Sequence, residues 1–220
     1  MARFADRRDA GRRLGALVAE RLAVDGDGDL DVVVLGLPRG GVVVAAEVAD
    51  ALGAPLDAFG VRKLGVPGHK ELAMGAIASG GIRVLNERVL ASARIDMRRV
   101  EQVAAAELAE LERREALYRD GREPVALTGR TVVLVDDGLA TGSTMRAAVA
   151  AVSTRAPAAL IVAVPVGAAS TCRSIAEDYD EVVDVLCLES PKDFNAVGEW
   201  YRDFSQTTDE EVRALLSGTR

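Results

Sequence analysis

Two consecutive carboxylates, Asp136 and Asp137, stand between an apolar run, Thr131-Val-Val-Leu-Val135, and a loop of small and hydroxyl-bearing residues, Gly138-Leu-Ala-Thr-Gly-Ser-Thr144. A short β-branched run followed by such a loop and then by helix-forming residues predicts a buried strand, a turn and a helix N-terminus, in that order. Small residues at a helix N-terminus let backbone N–H groups converge on a phosphate, and the helix dipole adds to the attraction. Thr141, Ser143 and Thr144 contribute hydroxyl donors, with Ala140 and Gly142 between and beside them. The carboxylates cannot bind phosphate, but they suit hydrogen bonds from vicinal hydroxyls. A ribose phosphate meets both demands. The loop is not a Walker A loop, because Gly-x-x-x-x-Gly-Lys is absent, and it lacks Gly-x-Gly-x-x-Gly.

A second loop has the same setting. Leu37-Pro38-Arg39-Gly40-Gly41 follows the apolar run Asp31-Val-Val-Val-Leu-Gly36 and precedes a predicted helix, Val42 to Leu52, closed by Gly53. Gly40 and Gly41 allow close backbone approach to an anion, and Arg39 can neutralise its charge. Further on, Arg62 and Lys63 precede a stretch, residues 64–80, rich in glycine and small residues, with Pro67, His69, Lys70 and Glu71 inside it. His69 is the sole histidine, which excludes a Ser-His-Asp triad built elsewhere. It reads as a solvated loop residue or as a contact to an anion or base, with Glu71 a weaker candidate acid or base.

These loops need a scaffold that carries them on strand ends. Apolar positions Leu14, Leu17, Val18 and Leu22 predict an amphipathic helix over 6–24, broken at Gly26–Asp29. Strands are predicted over 31–36, 55–61, 81–85, 131–135, 159–164 and 181–188. Helices are predicted over 42–52, about 87–119, 145–155 and 170–178, with a last one after Thr207 or Thr208, where Glu210 or Glu211 completes a capping box. The long segment 87–119 carries Val100, Ala104, Leu108 and Leu111 on one stripe and suits core packing or a dimer contact. Strands alternating with helices predict one α/β domain over 1–220: a mostly parallel, twisted sheet flanked by helices. In such a sheet ligands lie beyond the carboxyl ends of strands.

Composition narrows the classes. The 220 residues are 49% hydrophobic and 28% charged, enough for a core and unlike a disordered chain. A net charge of -7 argues against a protein that grips nucleic acid through phosphates. Cys172 and Cys187 show no Cys-x-x-Cys pairing, so neither a disulfide scaffold nor a zinc cluster is indicated. No apolar run approaches the roughly 20 residues of a membrane span, and the first residues have no signal-like core, so the expectation is a soluble, cytoplasmic enzyme without a membrane partner.

Val132-Val-Leu-Val-Asp-Asp-Gly-Leu-Ala-Thr-Gly-Ser-Thr144 resembles the 5-phosphoribosyl-1-diphosphate (PRPP) signature of type I phosphoribosyltransferases: four apolar residues, two acids, then Thr-Gly-x-Thr. The resemblance implies that Asp136 and Asp137 hold the ribose 2′- and 3′-hydroxyls and that residues 140–144 hold the 5′-phosphate. Leu37 to Gly41 is similar to the family's diphosphate loop, which implies a cis peptide between Pro38 and Arg39. Val61-Arg62-Lys63-x-Gly65 followed by Pro67-Gly68 is similar to the loop entry of adenine phosphoribosyltransferases, which implies diphosphate contacts from Arg62 and Lys63 and a mobile lid over 64–80. Lys192-Asp193-Phe194-Asn195-Ala196-Val197-Gly198 is similar to the base-binding hood of 6-oxopurine enzymes. Phe194 then stacks on the base, within a hood at about 189–207, and Trp200 and Tyr201 pack that hood.

Two positions depart from the oxopurine pattern: Ala140, where an acid is common, and Val164, where a lysine faces the purine oxygen. The base is therefore left open. The resemblance further implies transfer of the phosphoribosyl group to a nucleobase in nucleotide salvage, Mg²⁺ held mainly by PRPP and diphosphate, and a homodimer. A nucleotide-binding regulator without turnover, or a transferase with a non-nucleobase acceptor, stays open beside it.

Overall fold

Short runs of valine, leucine and isoleucine build the centre of the molecule, and the intervening helices cover them on both sides. The structure, a computed structural model, describes residues 3–24, 31–179 and 183–218. The predicted break at 26–29 and the start of the predicted strand at 181 lie outside the described residues. In chain order the elements are α1 (Arg7–Val24), β1 (Val32–Gly36), α2 (Gly40–Leu52), β2 (Leu56–Ala58), β3 (Val61–Val66), β4 (His69–Ala78) and β5 (Ile82–Leu85). They continue with α3 (Glu87–Ala93), α4 (Met97–Arg119), β6 (Thr131–Val135), α5 (Ser143–Ser153), β7 (Ala159–Val166), α6 (Ala169–Asp178), β8 (Val183–Glu189) and α7 (Asp209–Leu216).

The central sheet is fully parallel, in the order β2-β1-β6-β7-β8. Alternate residues of its middle strands enter opposite cores. Val33, Leu35, Val132 and Leu134 meet Met145, Val149 and Val152 of α5. Val34, Val133 and Val135 meet Leu14 and Val18 of α1 and Val44 and Val48 of α2. A strand buried on both faces has no polar side to show, which is why β1 and β6 read as unbroken apolar runs. Gly53, at φ 61, closes α2 in the left-handed conformation as predicted. Thr208 caps α7 by accepting from the Glu211 N–H at 3.1 Å, so the helix starts at the later of the two predicted caps.

Residues 64–80 are not an open loop. They belong to a second, antiparallel sheet, β3-β4-β5, whose first hairpin turns at Pro67-Gly68, with Gly68 at φ 83. Proline followed by a positive-φ glycine is the sequence of a type II turn. Leu64, Val66, Met74 and Ile77 pack against Leu90, Val100 and Ala104, so this sheet has a core of its own.

The predicted continuous helix over 87–119 is also two. Arg94, at φ 52, ends α3, and the Asp96 carboxylate caps α4 by accepting from the Arg99 N–H at 2.8 Å. An aspartate competing for backbone N–H groups favours a cap over a helix interior.

The N-terminal segment is laced to residues 200–203. The N–H of Phe4 donates to the Trp200 carbonyl at 3.0 Å, and those of Arg202 and Asp203 donate back to Phe4 and Ala5 at 2.9 Å. Cys172 and Cys187 are both free thiols. Among the described residues no helix is long and apolar enough to cross a membrane.

The break at Arg94 has a measurable sign. A non-glycine residue in the left-handed region costs roughly 1–2 kcal/mol, which outweighs or matches the extra unfolded-state freedom of glycine, about 0.5–1 kcal/mol. Arg94→Gly is therefore expected to leave the unfolding free energy in denaturant unchanged or raised. A glycine inside one continuous helix would instead lower it by about 1 kcal/mol.

Candidate active site

The site forms where the two strongest strands end side by side. β1 and β6 pair residue for residue from Val32 with Thr131 to Gly36 with Val135, so both chemistry-bearing loops leave the sheet at one edge. The Leu37 N–H donates to the Val135 carbonyl at 2.9 Å, which ties the first loop to the second. The Pro38–Arg39 peptide is cis.

Gly40 and Gly41 then pass directly against the acid pair. A Cβ on Gly40 would lie 2.0 Å from Asp137 Oδ2, and one on Gly41 would lie 2.9 Å from Asp136 Oδ1 and from the Val135 carbonyl. The glycines expected to admit a ligand thus also admit the neighbouring loop. Beyond the acids, Gly142 (φ 73) turns the chain into α5. Thr141, Ser143 and Thr144 are exposed around it, with the Thr141 and Ser143 hydroxyls 2.8 Å apart. The first N–H groups of a helix lack intrahelical partners, so this turn presents donors outward. The Ala140 carbonyl accepts from the Thr171 hydroxyl at 2.7 Å and is fixed from behind.

Asp137 has a partner that motif reading missed. Arg7, in the first turn of α1, donates through Nε to Asp137 Oδ2 at 2.8 Å, and both side chains are largely buried. The Arg7 guanidinium stacks 3.9 Å above the Phe204 ring and donates to the Ser205 carbonyl at 2.8 Å. The Tyr201 hydroxyl donates to the Asp137 carbonyl at 2.5 Å. A buried pair of acids called for a nearby cation, but nothing local to Arg7 marks it as that cation.

The predicted basic residues divide. Arg39 sits 3.9 Å from Asp209, at the start of α7, and Asp209 also accepts from the Tyr118 hydroxyl at 2.7 Å. Arg62 pairs with Glu107 of α4 at 2.6 Å. Lys63 is exposed on β3, and His69 is exposed at the start of β4.

Phe194 is half-buried and packs with Val197 and Trp200 against Phe4, Val166 and Tyr201, so it belongs to the small core of the hood. Val197 in turn fills the space where a Gly138 side chain would stand, 2.4 Å away, and presses the hood onto the acid loop. Val164 differs from expectation. β7 continues to Val166, and Val164 is fully buried in the core under α5. Ala140 is exposed at the site.

Comparison with known proteins agrees with this architecture. A sequence profile of the family described as Phosphoribosyl transferase domain matches residues 10–203. The chain belongs to that family. It is 48% identical over 217 residues to two Mycobacterium tuberculosis proteins provisionally named phosphoribosyl transferases, MT0597 and Rv0571c, covering 98% of this chain and 47% of each relative. The chain thus spans about half the length of those curated relatives. Among solved structures it is similar to TT1426 from Thermus thermophilus, with 45% identity, a TM-score of 0.81 and 97% of both chains covered. It shares its fold with the AQ2163 protein from Aquifex aeolicus, at 15% identity and a TM-score of 0.51 over 87% of this chain and 78% of that one.

The phosphoribosyl transferase domain carries an electrostatic load at its acid pair. Burial first, then the neighbouring Asp137 charge, pushes the Asp136 carboxyl well above the ordinary carboxylate range. Burial also raises Asp137, while the hydrogen bond and charge of Arg7 pull it back. A carboxyl whose folded pKa is raised favours folding below the unfolded pKa, and that contribution is lost as pH rises through the folded pKa. Asp136→Asn should therefore raise the melting temperature of the ligand-free protein at pH 7–8, with the gain shrinking to nothing as pH falls through the ordinary carboxylate range. Paired melting curves between pH 4 and 8 check it; a gain that is constant across that range contradicts the assignment.

Proposed function

We propose that the chain is a PRPP-dependent transferase that passes the 5-phosphoribosyl group to a nucleobase and releases diphosphate. The reading rests above all on two adjacent acids beside an open helix N-terminus, at the common edge of β1 and β6. On this reading Asp136 and Asp137 accept hydrogen bonds from the ribose 2′- and 3′-hydroxyls, and the N–H groups and hydroxyls of residues 140–144 hold the 5′-phosphate. The backbone of Pro38, Gly40 and Gly41 and the side chain of Arg39 face the diphosphate.

A ring nitrogen of the base forms the new bond to C1 as the bond to the diphosphate oxygen breaks; the diphosphate leaves with the electron pair, and the proton of that nitrogen passes to the diphosphate or to solvent. The transition state is oxocarbenium-like, so the protein's work is positioning and stabilising the departing charge. Arg39, Lys63 and Arg62 supply that positive charge, Arg62 by exchanging its Glu107 partner for the ligand. The hairpin of β3 and β4 closes over the sugar and excludes water.

Magnesium fits this site as an ion carried by the ligand. Among the described residues no group of three or more His, Cys, Asp or Glu side chains could hold a metal, whereas Asp136 and Asp137 present hard oxygens beside the diphosphate loop. When bound, Mg²⁺ supplies charge neutralisation on the diphosphate.

Ala140 and Val164 favour a second reading, an acceptor other than a nucleobase. The first presents only a methyl group to the site and the second is buried in the core, so neither position reads the polar edge of a purine. Incubating the protein with PRPP, Mg²⁺ and a panel of purine and pyrimidine bases, with products followed by mass spectrometry, separates the two. A nucleoside monophosphate supports the first reading, and PRPP binding without one supports the second. In either case the double substitution Asp136→Asn, Asp137→Asn should weaken PRPP binding at least tenfold by calorimetry, since each charge-assisted hydrogen bond is worth about 1.5–3 kcal/mol. Unchanged affinity overturns both.

A further inference from the structure

A second cavity, of about 380 Å³, lies between the central sheet and the antiparallel sheet and takes none of its walls from residues 36–41 or 136–144. We propose that it is a binding site for a small anion carried on a flat, amino-substituted ring, the chemistry of a nucleoside monophosphate. The volume falls within the usual range for small-molecule sites, roughly 300–1,000 Å³.

One wall is a fixed polar scaffold. Asp57 on β2 is 7% exposed. Its carboxylate accepts from Arg119 Nε at 3.3 Å and from the N–H groups of Ala58 and Val125 at 2.8 and 3.2 Å. Arg119 also pairs with Glu115 at 3.1 Å and donates to the Ala58 carbonyl at 3.2 Å. Glu115 in turn accepts from the Ser79 hydroxyl, and Ser79 Oγ accepts from the Gly60 N–H at 2.7 Å. Every side chain in this wall is held by others, so it is preorganised. Two carboxylates against one guanidinium leave it with a surplus negative charge and acceptor capacity at Glu115.

The opposite wall is cationic. Arg155, two residues past the end of α5, lines the cavity and has no carboxylate partner among the described residues. Its guanidinium rests over the β4–β5 turn, where a Cβ on Gly80 would lie 2.0 Å from it. Ser79 and Gly80 are consecutive, so Glu115 and Arg155 flank the same turn from two sides. Leu35, Phe59 and Leu127 supply the apolar surface between them. An anion on Arg155, an amino group donating to Glu115 and a ring against Phe59 and Leu127 satisfy all three surfaces together. Guanidinium suits a phosphate because it donates in a planar fork.

The inference is independent of the phosphoribosyl reading. AMP titrated into the full chain, with and without saturating PRPP and Mg²⁺, is followed by calorimetry and by the amide shifts of Gly80 and Leu127. One AMP per chain should bind while PRPP is present, and the amides of both residues should move. Arg155→Ala, which removes the cation, and Ala126→Trp, which fills the cavity from an exposed position, should each weaken that binding at least tenfold while leaving PRPP affinity unchanged. Absence of AMP binding to the PRPP-saturated chain, or binding that neither substitution alters, overturns the proposal. Should PRPP itself fail to bind, the phosphoribosyl reading falls, and AMP binding that both substitutions weaken still establishes the second site.

Discussion

The contact on which the rest depends is the closure of two loops on one another at the ends of β1 and β6. Gly40 and Gly41 let the backbone entering α2 lie against Asp136 and Asp137, where a methyl group would stand 2.0–2.9 Å from those acids. Real Cβ atoms do not come that close, so a side chain at Gly41 must push the backbone of Val135 and Asp136 away, and one at Gly40 must displace the paired Asp137 and Arg7 side chains. The two carboxylates are consequently confined between a backbone segment and the hood. Confinement removes water from them, and loss of water disfavours their charged form. Arg7 is the compensating charge, delivered from α1 and held in place by Phe204 and Ser205.

The sheet topology explains why the closure happens there. After β1 the chain moves outward to β2, and after β6 it moves the other way, through β7 to β8. Connections therefore diverge between β1 and β6 and leave a crevice at their carboxyl ends. The helices that follow these strands take opposite sides, α2 with α1 on one face and α5 on the other. The N-termini of α2 and α5 are thereby brought together without either covering the crevice.

What was legible in the sequence follows from range. β1, β6 and the loop at 136–144 are local patterns: a strand buried on both faces must be apolar throughout, and a tight turn into a helix N-terminus favours small and hydroxyl-bearing residues. Of the antiparallel sheet only β5 was legible; β3 and β4 were not, because Gly65, Gly75 and other small residues between 61 and 78 hide the alternation of Leu64, Val66, Met74 and Ile77. Gly75 is itself a packing requirement, with the Val84 carbonyl 2.4 Å from its absent Cβ. The break at Arg94 was missed because neither glycine nor proline marks it; the signal was Asp96. Val164 was misplaced because proline at 165 looks like the end of a strand, yet β7 has already outrun β6 there and needs no N–H at that position. Arg7 could not be found at all from spacing, since 130 residues separate it from Asp137.

The charges around the hairpin bear on how a site of this kind could switch. Arg62 and Glu107 are each about one-third exposed, and a pair in that setting contributes at most about 1 kcal/mol after screening. A diphosphate offers the same guanidinium several charged oxygens in a drier place, and hydrogen bonds between two charged groups are about twice as strong there as neutral ones. On the phosphoribosyl reading the exchange therefore runs toward the ligand once it is present and back to Glu107 once it leaves. The same holds for Arg39, whose contact with Asp209 is 3.9 Å long and half shared with Tyr118. The antiparallel sheet packs on α3 and α4 through one core and, through Val61, Ala78 and Ile82, on the core under α5. On that reading the two arginines are parked on carboxylates of α4 and α7, too weakly held there to resist exchange.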